Sequence, residues 1–276
     1  MQNVIEIERL TKNYGKHRGV SDVSFQVGEG DIFGFLGPNG AGKSTTIRSM
    51  LGLIQFQAGS IRIFGKDIRK DREGILSEVG YMPSETMFYP WMKVKDVIRL
   101  AADVRKKDCR REAERLCERL KVDTDKKISD LSLGNRKKVG IICAMQHRPK
   151  LFVFDEPTSG LDPLMQSEFF QLIQEYVKEG ATCMLSTHVL SEIKGYCRNM
   201  AIMKEGKLKC VDSVANITRT NAKRVKLLRE GRQESYIFEG NLNELMQKLA
   251  GYDIQDVLIE EPSLDEIFMH FYSETE

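Results

Sequence analysis

Residues 37–45 read GPNGAGKST, which fits the spacing G-x-x-x-x-G-K-[ST]. Glycines at 37, 40 and 42 let the backbone turn successive N–H groups inward on phosphate oxygens, a shape that bulkier residues resist. Lys43 then sets a cation on the β and γ phosphates of a nucleotide, and Ser44 offers a hydroxyl to Mg²⁺. Pro38, Asn39, Ala41 and Thr45 complete the loop around the phosphates. Further along, FVFDEP at residues 152–157 ends a short apolar strand in two carboxylates. Asp155, at the strand's C-terminal end, is placed to hold Mg²⁺. Glu156 is placed to polarise a water for attack on the γ phosphate, a general-base role; the alternative is an acidic pair that merely ends a strand. Between these motifs lies LSLGNRKK, residues 131–138. Its Ser-x-Gly turn opens a basic segment, and a hydroxyl beside free N–H groups at a helix N-terminus attracts anions. One chain thus carries two phosphate motifs for what looks like one nucleotide.

The elements that must position these residues are legible as patterns. Over residues 4–27, short alternating runs (VIEIERL, VSFQV) broken by YGK and GEG predict an antiparallel β section. DIFGFLG is a continuous apolar strand, and a helix follows from about Lys43. Residues 95–121 have helical spacing, with Ala113, Leu116, Cys117 and Leu120 at i, i+3, i+4 and i+7, which predicts an inserted helical subdomain of about residues 86–148. LFVFD and ATCMLSTH have the form of strands buried on both faces of a parallel sheet, so the core is α/β.

Near Asp212 the character changes. The basic segment RTNAKRVKLLREGR is followed by SYIFEG and two expected helices. The first starts at Asn241 with Glu244 three residues on, carries Leu242, Leu245, Met246 and Leu249 on one face, and stops at Gly251; the second starts at Ser263 with Glu266. Both starts resemble capping boxes. Two domains are expected, residues 1–212 and 213–276.

The chain has 276 residues, and 42 Lys+Arg against 40 Asp+Glu leave a net charge of +2, which does not suggest a nucleic-acid binder. Cys109, Cys117, Cys143, Cys183, Cys197 and Cys210 are scattered with no C-x-x-C pair, the usage of reduced thiols in a reducing cytoplasm. No apolar run approaches the ~18–20 residues that span a bilayer, so a membrane role is expected to come through a partner.

Taken in order, the motifs resemble the ATP-binding cassette of an ABC transporter over residues 1 to about 212. LSLGNRKK resembles that family's signature motif, whose commoner form is Leu-Ser-Gly-Gly-Gln. SGLD at residues 159–162 matches the loop after the acidic pair, and STH ends in His188 at the switch-histidine position. The resemblance implies an α/β fold: a P-loop NTPase core with an antiparallel β subdomain and an inserted helical subdomain, plus a small α/β C-terminal domain. It implies that Tyr14 stacks on adenine, that Asp162 belongs to the nucleotide-binding set, and that His188 and Lys43 act in catalysis with Glu156. It also accounts for the two phosphate motifs. Two cassettes pack head to tail, so that Ser132 and the N–H groups around Gly134 of one chain cover the ATP held by the loop of the other. ATP and Mg²⁺ are the implied ligands. The implied partners are a second cassette, most simply a second copy, and separate transmembrane permease subunits, with no nucleic acid. The implied place is the cytoplasmic face of the cell membrane, peripheral through those subunits.

The chain departs from the family pattern in places. Leu133 replaces the first glycine of the signature and Asn135 its glutamine. In VGYMPSE, Ser84 stands where the family has a Mg²⁺-sensing glutamine, and Glu85 follows; either could reach the metal through water. Trp91, the one tryptophan, lies in FYPWMKVKD, where the family docks a cytoplasmic helix of a membrane subunit; core packing is the alternative. The basic run at residues 219–232 is a solvated face or, less commonly, a lipid or nucleic-acid site. EEPSLDEIFMHFY and YMPSE resemble the exporter branch that handles drugs, peptide antibiotics and lipophilic cargo. A second reading is a soluble cassette ATPase acting on ribosomes or DNA, but such chains commonly join two cassettes or insert a long coiled coil, and neither is present. A P-loop GTPase or kinase fits poorly, because there is no Asn-Lys-x-Asp motif and the signature stretch is present.

Overall fold

The computed structural model describes residues 2–15, 17–218, 222–229 and 231–260, and the chain divides into two compact units, Met1–Val211 and Asp212–Glu276. In the first unit β1 (Asn3–Tyr14) and β2 (His17–Gly28) pair antiparallel. After β3 (Ile32–Leu36) and α1 (Lys43–Met50), β4 (Ala58–Ile63) and β5 (Lys66–Asp67) complete a four-stranded sheet in the order β2-β1-β4-β5. Next come α2 (Arg72–Ser77), β6 (Val79–Met82) and three helices, α3 (Val94–Val104), α4 (Arg110–Arg119) and α5 (Leu133–Met145). Then β7 (Leu151–Asp155), α6 (Pro163–Lys178), β8 (Thr182–Thr187), α7 (Leu190–Tyr196), β9 (Asn199–Lys204) and β10 (Lys207–Ser213) finish a six-stranded sheet, β10-β9-β3-β8-β7-β6. Its strands β9, β3, β8, β7 and β6 run parallel. This is the α/β core with an antiparallel sheet and a helical insertion that the sequence pattern predicts.

The apolar runs follow from burial on two faces. In β3, Phe33 and Phe35 turn to one side and stack on Phe25 of β2 at 5.5 and 5.4 Å. Gly34 faces the other way, where a Cβ would sit 2.3 Å from Cδ1 of Ile193 in α7. β7 divides in the same manner. Leu151 and Val153 join the core that holds Phe25 and Phe33, while Phe152 and Phe154 meet Tyr176 and Phe169 of α6 edge-on at 5.1 Å. Successive strand residues alternate faces, so a strand covered on both reads as a nearly continuous apolar run. Burying each of these phenylalanines contributes about 1.5–3 kcal/mol.

In the helical insertion α4 buries Ala113 and Leu116, with Leu120 just past its end, and leaves Cys117 half-buried. Arg115 and Arg119 on its outer side pair with Glu175 of α6 at 3.1 and 3.0 Å, which fastens the insertion to the core.

Strand register positions the site. Leu36 of β3 pairs with Thr187 of β8, and Asp155 of β7 pairs with Ser186. The three strands therefore end at one level and their loops open side by side, at the carboxyl edge where open parallel sheets bind ligands.

The second unit contains α8 (Val214–Thr218), β11 (Ala222–Arg229), β12 (Arg232–Glu239), α9 (Leu242–Leu249) and β13 (Asp256–Glu260), with an antiparallel sheet β12-β11-β13. Much of the basic run forms strand β11. Val225 and Leu227 join Leu245 and Leu249 of α9 in a small core, while Arg224 and Lys226 alternate outward to Glu260 at 3.8 and 2.5 Å. α9 starts as its cap predicts, the Glu244 N–H donating to Oδ1 of Asn241 at 2.9 Å. Its buried stripe is narrower than the four apolar residues suggest, because Leu242 and Met246 are exposed. The expected helix from Ser263 with Glu266, the ending EEPSLDEIFMHFY beyond Glu260, and residues 219–221 and 230 of the basic run lie outside the described residues.

Candidate functional site

β3 leads through residues 37–42 into α1, whose N-cap is Gly42 at φ 105°, ψ 5°. Only glycine takes that conformation at little cost, and a Cβ there would also lie 2.7 Å from Cγ1 of Val20. The Gly37 N–H donates to the Thr187 carbonyl at 3.3 Å and the Ala41 N–H to that of Pro38 at 3.1 Å, so the loop is tied to β8 and closed on itself. Pro38, Asn39, Gly40, Gly42, Lys43, Ser44 and Thr45 line a cavity of about 430 Å³ together with Gly19, Ser84, Glu85, Glu156 and Ser159. Gly37 and Ala41, the other two residues of the loop, are buried and do not line the cavity.

Lys43 is 5% exposed and fully engaged. Its Nζ donates to the carbonyls of Gly37 at 2.6 Å and Pro38 at 3.2 Å, and pairs with Oε1 of Glu156 at 3.0 Å. Three acceptors match the three donors of an ammonium.

Asp155 is completely buried. Its Oδ1 accepts from the Ser186 hydroxyl at 2.5 Å, whereas Oδ2 has no hydrogen-bond partner among the described residues. A buried carboxylate oxygen without a donor costs at least about 1–3 kcal/mol, and a cation would satisfy it. Glu156 has φ 52°, a left-handed conformation for a residue with a Cβ, and such strain persists only where the surroundings fix it. Here its N–H donates to the Ser186 carbonyl at 3.1 Å, Oε1 holds Lys43, and Oε2 lies 2.7 Å from Nδ1 of His188. A carboxylate only accepts, so Nδ1 carries the proton in this contact.

Lys137 of α5 also reaches this corner. It is 2% exposed, and its Nζ donates to the Glu156 carbonyl and to Oγ of Ser159, the latter at 2.5 Å. Burial pushes its pKa below the ordinary lysine value, against the opposing pull of Glu156, Asp155 and Glu192.

The structure brings together the residues of the glycine loop with Asp155, Glu156 and His188. Tyr14, Ser132, Gly134 and Asp162 do not line the cavity. Tyr14 ends β1, half-exposed, with the Lys12 ammonium 4.8 Å from its ring centroid. Ser132 caps α5, its hydroxyl accepting the Asn135 N–H at 3.3 Å. Asp162 caps α6, accepting the Met165 N–H at 3.0 Å. Gly134 packs on the neighbouring loop, where a Cβ would lie 2.4 Å from the Gly160 carbonyl oxygen. Ser84 and Glu85 both line the cavity, so both alternatives for the missing glutamine stand. For Trp91 the core alternative is corrected: the ring is 70% exposed and packs on Tyr89 at 5.2 Å, because it precedes α3, whose buried stripe begins at Val94.

Sequence reasoning missed Lys137, Ser186 and Gly19, and did not foresee that Ser159 lines the cavity. For Lys137 a signal existed, since it shares the buried face of α5 with Ile141 and Ala144 at i, i+4 and i+7, and a lysine on such a face calls for a partner.

The family described as ABC transporter matches residues 20–159. The bacitracin transport ATP-binding protein BcrA of Bacillus licheniformis is 38% identical over 212 residues, covering 75% of this chain and 69% of its own. An uncharacterized ABC transporter ATP-binding protein of Methanocaldococcus jannaschii is 32% identical over 274 residues, covering 95% and 100%. A solved structure of an ATP binding subunit of an ABC transporter is similar with a TM-score of 0.77 at 26% identity, covering 98% of this chain and 99% of that one. With these likenesses spanning the glycine loop, the acidic pair and the signature stretch, the chain belongs to the ABC transporter family as its ATP-binding, ATP-hydrolysing cassette.

Proposed function

We propose that the chain powers an exporter as one of two cassettes bound head to tail beneath separate membrane-spanning subunits, at the cytoplasmic face of the membrane. The observation that carries this reading is the separation of its two phosphate motifs: Ser132 stands on the exposed start of α5, outside the cavity that Lys43 and Ser44 line. A hydroxyl so placed suits a nucleotide held by a second copy, and Leu133 beside it is exposed as a surface awaiting a partner would be. Among the described residues no helix is long and apolar enough to cross a membrane. The exposed group of Met87, Tyr89 and Trp91 suits a docked helix of a membrane subunit. The relative named for bacitracin transport supports the drug and peptide-antibiotic branch.

The residues fit the chemistry. Ser44 and Asp155 would hold Mg²⁺, which when bound offsets charge on the phosphates, and the unpartnered Oδ2 of Asp155 suits that role. The β and γ phosphates recruit Lys43 away from its carbonyl partners and from Glu156. Glu156 then takes a proton from water as that water's oxygen bonds to the γ phosphorus and the bond to the ADP oxygen breaks. His188 holds the carboxylate by its Nδ1–H.

The test is to tag the Glu156→Gln variant, solubilise native membranes gently in Mg·ATP and identify what co-purifies. A multi-span membrane protein is the expected result. Ribosomal or nucleic-acid components without one would mean that the cassette pair closes around something other than a transporter.

A further inference from the structure

We propose that Lys137 is a positioning residue for ATP hydrolysis: its buried ammonium, carried on the signature helix α5, fixes the backbone of Glu156 and so aims the base. The inference rests on the reading of Glu156 as that base. Both acceptors of Lys137 lie on the segment that carries it, the Glu156 carbonyl and the Ser159 hydroxyl, and the Ser159 hydroxyl in turn donates to the same carbonyl at 3.3 Å. Burying a lysine is costly unless it is paired, so the ammonium and these acceptors hold each other in one arrangement.

The place where they meet is the one that needs holding. Glu156 sits at φ 52°, and its amide side is fixed by Ser186. On the carbonyl side the donors are Lys137 and Ser159. Without Lys137 a strained residue is clamped firmly from one side only, and its carboxylate can swing off the line between Lys43 and His188. A displacement of about 1 Å in a catalytic group can cost about a hundredfold in rate.

Lys137 follows Ser132 by five residues on the same helix. In the head-to-tail pair, the start of α5 meets the partner's nucleotide while its next turn grips the chain's own base.

The test uses the full chain with Lys137→Met, which keeps most of the side chain's bulk without its charge, and Ser159→Ala, which removes one acceptor. ATPase rate, affinity for a fluorescent ATP analogue and melting temperature are measured for each. For Lys137→Met we expect kcat to fall about tenfold to hundredfold with KM for ATP within about twofold. Ser159→Ala should lose less, and Lys137→Met added to Glu156→Gln should cost nothing more, because both act through one group. A normal kcat in Lys137→Met, or a loss shared equally by affinity and melting temperature, overturns the proposal. If Lys137→Met does not fold, a normal kcat in Ser159→Ala overturns it. Glu156→Gln hydrolysing normally sinks the base assignment itself; Glu156→Gln inactive with Lys137→Met normal sinks only the role of Lys137.

Discussion

Replacing Glu156 with glutamine has two opposite effects that come from one pair of atoms. Lys43 already pairs with Oε1 of Glu156 at 3.0 Å, with side chains only 5% and 14% exposed, so phosphates that recruit the ammonium must take it from that carboxylate. Salt screens a pair this buried only weakly. Glutamine keeps the shape and one acceptor oxygen but not the charge. A hydrogen bond to a charged partner is worth about 1.5–3 kcal/mol and a neutral one about 0.5–1.5 kcal/mol, so the substitution returns about 1 kcal/mol to the binding equilibrium. That tightens Kd for ATP about fivefold. Losing the proposed general base should meanwhile lower kcat by about 10²–10⁴. The assay is an equilibrium titration with a fluorescent ATP analogue and Mg²⁺, run at low protein concentration so that pairing of cassettes does not add to the signal, beside steady-state ATPase rates. Affinity equal to or weaker than that of the parent protein would refute the competition for Lys43, and a normal rate would refute the base.

Asp155→Asn replaces the unpartnered Oδ2 or its neighbour with an amide; Mg²⁺-dependent hydrolysis should fall at least about a hundredfold, and a variant with the parent's Mg²⁺ titration curve would exclude Asp155 as a ligand. His147 is buried, and desolvation with help from Arg105 lowers its pKa from 6.5 to about 3. Its folded pKa lies below the unfolded one, so its contribution is whole above the unfolded value and is lost as pH falls, by about 1.4 kcal/mol per unit and about 2 kcal/mol by pH 5. His147→Gln should flatten the fall in stability between pH 7 and pH 5 by that amount in denaturant titrations, and an unchanged slope would remove this imidazole as the cause. As the one tryptophan, Trp91 should give emission that acrylamide quenches readily in the isolated chain and poorly once a membrane subunit is bound; equal quenching in both would rule out docking there.

What could be read from the sequence was what depends on near neighbours. The glycine loop at residues 37–45, the acidic pair and the two-face burial of β3 and β7 follow from local spacing and alternation. Contacts over long separations could not be read. Ser186 joins Asp155, and Lys137 reaches Glu156, only after strand register and helix packing have brought them together. Charge concealed β11, whose inward Val225 and Leu227 sit among lysines and arginines that point the other way. The apolar spacing of α9 overstated its buried face, because a small three-stranded sheet covers only Leu245 and Leu249. Trp91 was ambiguous because its sequence neighbourhood holds both a loop and the start of a helix.

The common level at which β3, β7 and β8 end works as a ruler. Asp155 shares a face with Leu151 and Val153, so one residue inserted within β7 would swing its carboxylate toward the aromatic side where Phe152 and Phe154 meet α6. The same insertion would slide Glu156 past Lys43 and His188. Connections that do not touch this edge, such as the turn between α3 and α4, can change length without moving a single reacting atom. Length change in this chain is therefore confined by the sheet: the strands and the turns at their carboxyl edge count residues strictly, and the connections away from that edge do not.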